Sequence, residues 1–206
     1  MCKKLWILAL MMSLVLCVSC ENSYMQNKNM DVYEKIHRYY NQMESYSSKL
    51  LLTAYSNKTE RTYLMEQKVI CPDLYYVKTT DKTEHVSVVT TQKDGKTKTS
   101  FAGSGYAITV TDAEQTGMLF VNRFMKTYYG SEDTALFVGG MLQGNVTVLE
   151  VTLAENHLQM SRAEMSIDNK TLAPKEIVIK DADGDVVLKG VFEEFQHNDH
   201  IDPNIF

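Results

Sequence analysis

The sequence predicts an α+β chain that is mainly β: a strongly curved antiparallel sheet of about ten strands, cupping one or two helices. Three observations lead there. Between Ser47 and Val110, five or six extended runs follow one another with only short turns between them, and strands joined that way pair as an antiparallel meander. Apolar residues at helical spacing occur in only two stretches, too few to build a helical core. About ten strands exceed what a flat open sheet usually holds, so the sheet has to twist and curl, and the two helices are what is available to cover one face.

Taken in order, the first helix starts at Asp31, placed as its N-cap. Val32, Ile36, Tyr39, Tyr40 and Met43 form its apolar stripe, Glu34, Lys35, Arg38 and Gln42 face away, and it ends near Ser45. The period then changes to two, with Leu50, Leu52 and Ala54 on one face and Asn57-Lys58 turning the chain. Arg61 to Ile70 is a second extended run, and Leu74 to Thr79 follows the Pro72-Asp73 break. Val86, Val88 and Thr90 share a face of the next. Asp94-Gly95 leads into Lys96–Ala102 as a hairpin signal. Gly103-Ser104-Gly105 turns the chain into Tyr106–Val110.

Thr111 or Asp112 is the expected cap of the second helix. Met118, Val121, Phe124, Met125 and Tyr128 form its apolar face, and Gly130 supplies the C′ stop. Strand signals resume at Leu136–Val138 and Val146–Leu153. Leu158 and Met160 lie on one parity but Ala163, Met165 and Ile167 on the other, which a β-bulge near Ser161-Arg162 explains. Pro174–Lys180 and Val186–Phe195 make a last hairpin about Asp183-Gly184. No repeat of fixed period, low-complexity block or dividing linker occurs, so residues 31–206 read as one domain.

Ahead of that domain, Lys3 and Lys4 precede an apolar run from Leu5 to Val18. A basic patch, an apolar core of about 7–15 residues and a small residue before the cut have the order of a secretory signal. The run is short for a membrane span, which needs about 20 apolar residues. It ends in Leu16-Cys17-Val18-Ser19-Cys20, which resembles a bacterial lipobox, with Cys17 where that motif usually has Leu, Val or Ile. The resemblance implies cleavage after Ser19 and a lipid on Cys20, hence a signal peptide over 1–19 and a flexible polar spacer over 20–30. An uncleaved anchor and an ordinary signal peptide are the alternatives.

Removing 1–19 leaves 187 of the 206 residues, enough to bury about 70% of the unfolded surface. Loss of two lysines takes the formal charge from −5 to −7, which argues against a nucleic-acid partner and a polybasic membrane footprint. Attachment to a membrane then falls to the lipid. Of 4 Cys, only Cys71 stays without a task. It is expected to be a buried, inert thiol, as no basic residue adjoins it, and the domain has no internal disulfide.

No catalytic or metal site emerges, and no cofactor is implied. Asp181-Ala182-Asp183-Gly184-Asp185 lacks the glycine and glutamate of a calcium loop, which would fall at Val186 and Phe192, so it reads as a hairpin turn. His197, Asp199, His200 and Asp202 do not match a closed zinc site and read as a solvated tail. Gly103-Ser104-Gly105 lacks the outer glycines of a nucleophile elbow. Glu193 and Glu194 occupy adjacent strand positions, which point to opposite faces. The 12 Met and 12 Tyr fill a core more readily than they line a cavity for apolar cargo.

The C-terminal run carries a resemblance. Ile167-Asp168, Thr171 and Pro174, the strand Ile177-Val178-Ile179, Asp181 and Gly184, then Phe192, Phe195, Asn198, Ile201 and Phe206 look like the outer-membrane lipoprotein carrier superfamily of the LolA/LolB type. The resemblance implies an incomplete antiparallel barrel wrapped round helices. The chain departs from the periplasmic carriers in bearing its own lipobox, and its one Trp, Trp6, lies in the signal. In style it is more similar to the germination lipoproteins of the GerS kind. That resemblance implies a non-enzymatic partner of a cell-wall amidase (an N-acetylmuramoyl-L-alanine amidase) in spore cortex modification. The alternative it leaves open is a carrier or sensor holding an acyl chain in the sheet cavity. Exposed sheet edges also allow a homodimer.

Overall fold

The computed structural model describes residues 31–56, 59–101, 107–110, 117–132, 134–138, 145–153 and 160–206. The chain divides between Tyr39 and Tyr40 into two units. Residues 31–41 are helical (α1). Ile36 and Tyr40 on the expected stripe are buried. Asp31 is itself within the helix, and its carboxylate pairs with Lys35 at 2.8 Å one turn on, the favourable order for an acid ahead of a base. The helix closes at 41 rather than near Ser45, because the next residues already enter the sheet.

Among the described residues, eleven strands form one open antiparallel sheet. The N-terminal meander is β1 (Ser45–Tyr55), β2 (Glu60–Ile70), β3 (Leu74–Asp81), β4 (Ser87–Lys93), β5 (Lys96–Phe101) and β6 (Ala107–Val110). The C-terminal one is β7 (Thr134–Val138), β8 (Val146–Thr152), β9 (Arg162–Asp168), β10 (Pro174–Lys180) and β11 (Val186–His197). Their order is β6-β5-β4-β3-β2-β1-β11-β10-β9-β8-β7. The first and last of these strands, β1 and β11, thus pair at the centre, and the sheet ends on β6 and β7. This is the mainly β, incomplete-barrel class expected.

Alternation sets the faces. Tyr46, Leu50 and Leu52 of β1, Met65 and Val69 of β2, and Tyr75 of β3 are buried on the inner face. Leu149, Val151, Ala163, Met165, Ile167, Ile177 and Ile179 continue that face on the other wing. The buried Met43, Met65, Met125 and Met165 are core fillers. On the inner face of β11, Gly190 sits between Leu52 and Ile177 in register. A Cβ there would lie 2.9 Å from Ile177 Cγ2 and 3.1 Å from Leu50 Cδ2. Gly190→Ala is therefore expected to cost about 1–3 kcal/mol by overpacking, seen as a lower urea midpoint at unchanged slope.

The second helix starts later than expected. A 3₁₀ turn (Gly117–Leu119) leads into α2 (Val121–Gly130), and Thr111 and Asp112 lie outside the described residues. Phe120 at the N-cap makes no side-chain cap. Gly130 is the last helical residue, and Ser131 after it is extended at φ −99°, so the left-handed glycine stop is not used. Val121, Phe124, Met125 and Tyr128 are buried as expected.

The turns follow their sequence signals where those signals are strong. Asp94 and Gly95 both take positive φ, +50° and +72°, the pairing a two-residue primed hairpin requires. Among the described residues no bulge marks Ser161-Arg162: β9 begins at Arg162, Met160 is outside any strand, and Leu158 lies outside the described residues. Register slips occur instead opposite Lys49/Leu50, Ile179/Lys180 and Pro174/Glu176. The first inserts Glu193 opposite no partner. With the pleat interrupted there, Glu193 and Glu194 are both exposed rather than split between the faces.

The residues of the C-terminal motif turn out to shape turns. Asp168 Oδ1 accepts from the Lys170 and Thr171 N–H groups at 2.9 and 3.0 Å, while Oδ2 faces Lys175 Nζ at 2.9 Å. Leu172 takes φ +60°, and its carbonyl accepts from the Tyr40 hydroxyl at 2.8 Å. Asp181 Oδ1 accepts from Asp183 and Asp185 N–H, with Gly184 at φ +88°. Asn198 Oδ1 accepts from Glu44 N–H, its Nδ2 donates to Gln42 O, and Ile201 is buried. The end of the chain is fastened to the start of β1 and is not a solvated tail.

The Lys175 ion pair and then the two N–H bonds hold the Asp168 carboxyl well below the usual carboxylate range. A depressed folded pKa contributes stability above the unfolded value of about 3.9, lost as pH falls through the folded value. Stability is therefore expected to decline below about pH 4. In Asp168→Asn, which keeps an acceptor for the turn, that part of the acid slope should vanish in urea titrations repeated down to about pH 2.

Candidate functional site

Two surfaces offer themselves for binding. The first is the inner face around α2, which a buried polar network holds in place. The Tyr46 hydroxyl accepts from the first helical N–H, Val121, at 3.2 Å, and so caps α2 from β1. It lies 3.4 Å from Gln67 Oε1, which also accepts from Ser48 Oγ at 3.0 Å. Gln67 Nε2 donates to the Leu119 carbonyl at 3.1 Å. Gln67 is only 1% exposed, so each partner it satisfies is one that water cannot reach. Burial raises the Tyr46 pKa well above the usual phenol value, with the Val121 N–H opposing it.

From that anchor α2 reaches both wings. It lies against β8 on one side. On the other, Asn122 Nδ2 donates to the Tyr75 hydroxyl at 2.8 Å, which donates in turn to Pro72 O at 2.6 Å. Arg123 Nη2 donates to Gln92 Oε1 of β4 at 2.7 Å. The Arg123 guanidinium stands 4.4 Å over the Tyr75 ring and 5.6 Å from that of Phe120, and those two rings meet edge to face at 4.7 Å.

Beside Arg123 a cavity of about 120 Å³ remains. Met65, Tyr75, Val77, Leu119 and Phe120 supply its apolar walls. Thr79, Thr90, Gln92, Thr97 and Arg123 supply its polar ones. Sequence reading misses this site because no local pattern marks it: its parts come from four strands and the helix start, and a lone Arg in an amphipathic helix looks like any solvated charge.

The second surface is the outer face of the central strands. In one row across β3, β2, β1 and β11, Lys78, Glu66, Lys49 and Glu194 alternate in sign by register. Lys49 and Glu194 meet at 2.8 Å, Lys78 and Glu66 at 4.0 Å. The next row is apolar, with Leu64, Leu51 and Val191 side by side, and Val191 is 37% exposed. Lys189 and Glu176 at 2.8 Å lie just beyond, and Lys180 with Glu164 farther out. An apolar centre within a charged rim is how protein-binding patches are built, while the exposed ion pairs themselves add little to stability.

Ser19 and Cys20 lie outside the described residues, as do Gly103-Ser104-Gly105 and His157. Cys71 is half-buried, and burial pushes its thiol up to about 11, far from a reactive thiolate. Among the described residues no three His, Cys, Asp or Glu side chains gather as a metal site. Among them, too, no helix is long and apolar enough to cross a membrane.

A family model described as "Sporulation protein YdcC-like" matches residues 2–206. No curated protein matches the chain. Among solved structures, it is similar to an uncharacterised conserved protein from Thermus thermophilus, at 12% identity and TM-score 0.52, covering 86% of this chain and 90% of that one. It is also similar to the CwlD amidase–GerS lipoprotein complex of Clostridioides difficile (18%, TM-score 0.43, 84% and 94% covered). A LolA superfamily protein of Nitrosomonas europaea matches at 10% and TM-score 0.44, with 86% and 96% covered. The last two superpose too loosely to carry more than the likeness.

Proposed function

This chain belongs to the sporulation protein YdcC-like family, and on that premise we propose that it is a non-enzymatic, lipid-anchored binding protein of the cell envelope. In this reading residues 1–19 are a signal peptide, Cys20 carries the lipid, 20–30 are a spacer, and 31–206 bind on the outer side of the membrane. The partner is an N-acetylmuramoyl-L-alanine amidase that it supports during cortex modification in spore germination. The amidase comes from the likeness of an anchored chain of this composition to the germination lipoproteins, and the C-terminal motif gives the LolA-type fold alone.

The observation that carries the binding role is the Leu64, Leu51 and Val191 row on the outer face, rimmed by paired charges. It lies on the central and most heavily paired strands, so a partner meets a rigid surface there. Edge strands β6 and β7 offer backbone donors and acceptors for a second mode, addition of a partner strand or of a second copy. Among the described residues, the inner-face cavity at Arg123 supports a carrier role less well. A cavity of about 120 Å³ is near the size that admits benzene, which is well short of a long acyl chain.

The test is co-purification of the full chain with a cell-wall amidase, and the amidase's rate on cortex peptidoglycan with and without it. A complex that Leu51→Glu and Val191→Glu weaken by about tenfold or more, through burial of an unpaired charge, is expected. Absence of any complex at micromolar concentrations sinks the partner. Co-purifying lipid in native mass spectra would move the reading to a carrier. Mass analysis showing Cys20 bare and retained within an unprocessed chain would remove the lipid anchor.

A further inference from the structure

Among the described residues, the Arg123 guanidinium is the one Arg or Lys cation lining the inner-face cavity. Its hydrogen-bond partner there is a neutral amide oxygen, Gln92 Oε1. The lysines of the described ion pairs at Asp31, Glu66, Glu164, Asp168, Glu176 and Glu194 all have their counterion. Arg123 has no carboxylate partner among the described residues. Half-burying a charge beside apolar walls is unfavourable unless a partner compensates it, and the Tyr75 and Phe120 faces do so only in part. Those rings and Gln92 fix the guanidinium plane, while a guanidinium has five N–H donors in all.

We propose that this cavity binds a small monocarboxylate carried on a short apolar or aromatic stem. A planar, oriented guanidinium matches a carboxylate through two parallel hydrogen bonds. Val77, Met65 and Leu119 take the stem, and the hydroxyl of Thr97, which pairs in register with Gln92, flanks the head. The volume sets the size: about 120 Å³ suits a phenyl-sized stem. One cation amid apolar walls also disfavours a phosphate dianion, whose second charge would stay uncompensated. The acid is either a free metabolite or the terminal carboxylate of a peptide; both present the same chemistry. This proposal stands apart from the amidase reading and does not use the outer face.

The experiment is titration of the full-length chain with phenylacetate, followed by calorimetry and by the Arg side-chain NMR signals. Phenylacetamide is the neutral isostere, hexadecanoate the long-chain control, and inorganic phosphate the stemless one. A peptide ending in a free Phe carboxylate and its amide separate the two sources. Saturable binding of phenylacetate, about ten- to a hundredfold tighter than phenylacetamide, is expected from a charged hydrogen-bonded pair. Arg123→Gln should abolish that preference, and Val77→Phe, which fills the cavity and keeps the cation, should abolish binding of both. Equal affinity for acid and amide, or binding untouched by Val77→Phe, overturns the proposal. So does binding of hexadecanoate or phosphate alone. Should Arg123→Gln fail to fold, the acid–amide comparison with Val77→Phe decides.

Discussion

Phe124→Ala is expected to lower the free energy of unfolding by about 3–5 kcal/mol, the range for losing a fully buried Phe. Phe124 is 0% exposed and belongs to α2, which rests against β8, so its loss opens a void under an element that touches both wings. Because α2 is also pinned to β1 and β2, the backbone has little room to collapse into that void, which places the cost toward the upper end. Phe124→Leu, which restores most of the volume, should lose far less. Urea unfolding of the two variants makes the comparison. A deficit below about 1 kcal/mol for the Ala variant would show that α2 contributes little to holding the sheet.

The second large effect runs against hydrophobic intuition. Gln67→Leu makes the core more apolar at similar volume, yet it is expected to destabilise by about 2–5 kcal/mol. The Leu119 carbonyl and the Ser48 hydroxyl lose their partner in a buried place, at about 1–3 kcal/mol for each orphan. The Tyr46 hydroxyl keeps its bond from Val121 N–H but loses the Gln67 oxygen. Tyr46→Phe alone should cost about 1–3 kcal/mol, since it leaves the Val121 N–H uncapped. The pair sits in one network, so the double variant should cost less than the sum of the singles. Additivity would mean that the two side chains act independently and that the network is no unit. A Gln67→Leu chain as stable as the parent would remove the network from the account of how α2 is positioned.

These two sites explain how α2 is seated on the inner face. α2 is held by Phe124 packing and by a polar clamp reaching through Gln67, and beside them a small pocket at Arg123 stays open. On the outer face, the surface proposed to bind a partner, Val191 is exposed and Leu51 half-buried.

Much of this architecture is legible residue by residue. Period-two alternation over Leu50, Leu52 and Ala54 or Ala163, Met165 and Ile167 marks strands because side chains in a strand alternate between faces. Asp94-Gly95 marks a hairpin because both positions need positive φ, which those residue types tolerate. The apolar stripes of both helices follow from the sequence, but their ends do not. Asp31 pairs with Lys35 where a cap is expected, and α2 starts under a Tyr hydroxyl supplied by a distant strand. The Glu193 bulge stays hidden for a similar reason: a register slip is a property of two strands, and one strand's parity does not reveal it. The Arg123 site is wholly illegible, since its apolar and polar walls are separated along the chain.

The amino-acid order by itself determined which segments are extended, which are helical and where the tight turns fall, because those follow from side-chain period and from φ preferences that act within a few residues. The tertiary structure alone decided that β1 and β11 join the two meanders, that Gln67 and Tyr46 seat the helix, and that the Arg123 guanidinium faces a small cavity. Such features depend on contacts between residues far apart in the chain, and local sequence carries no energy term for a neighbour it has not yet met.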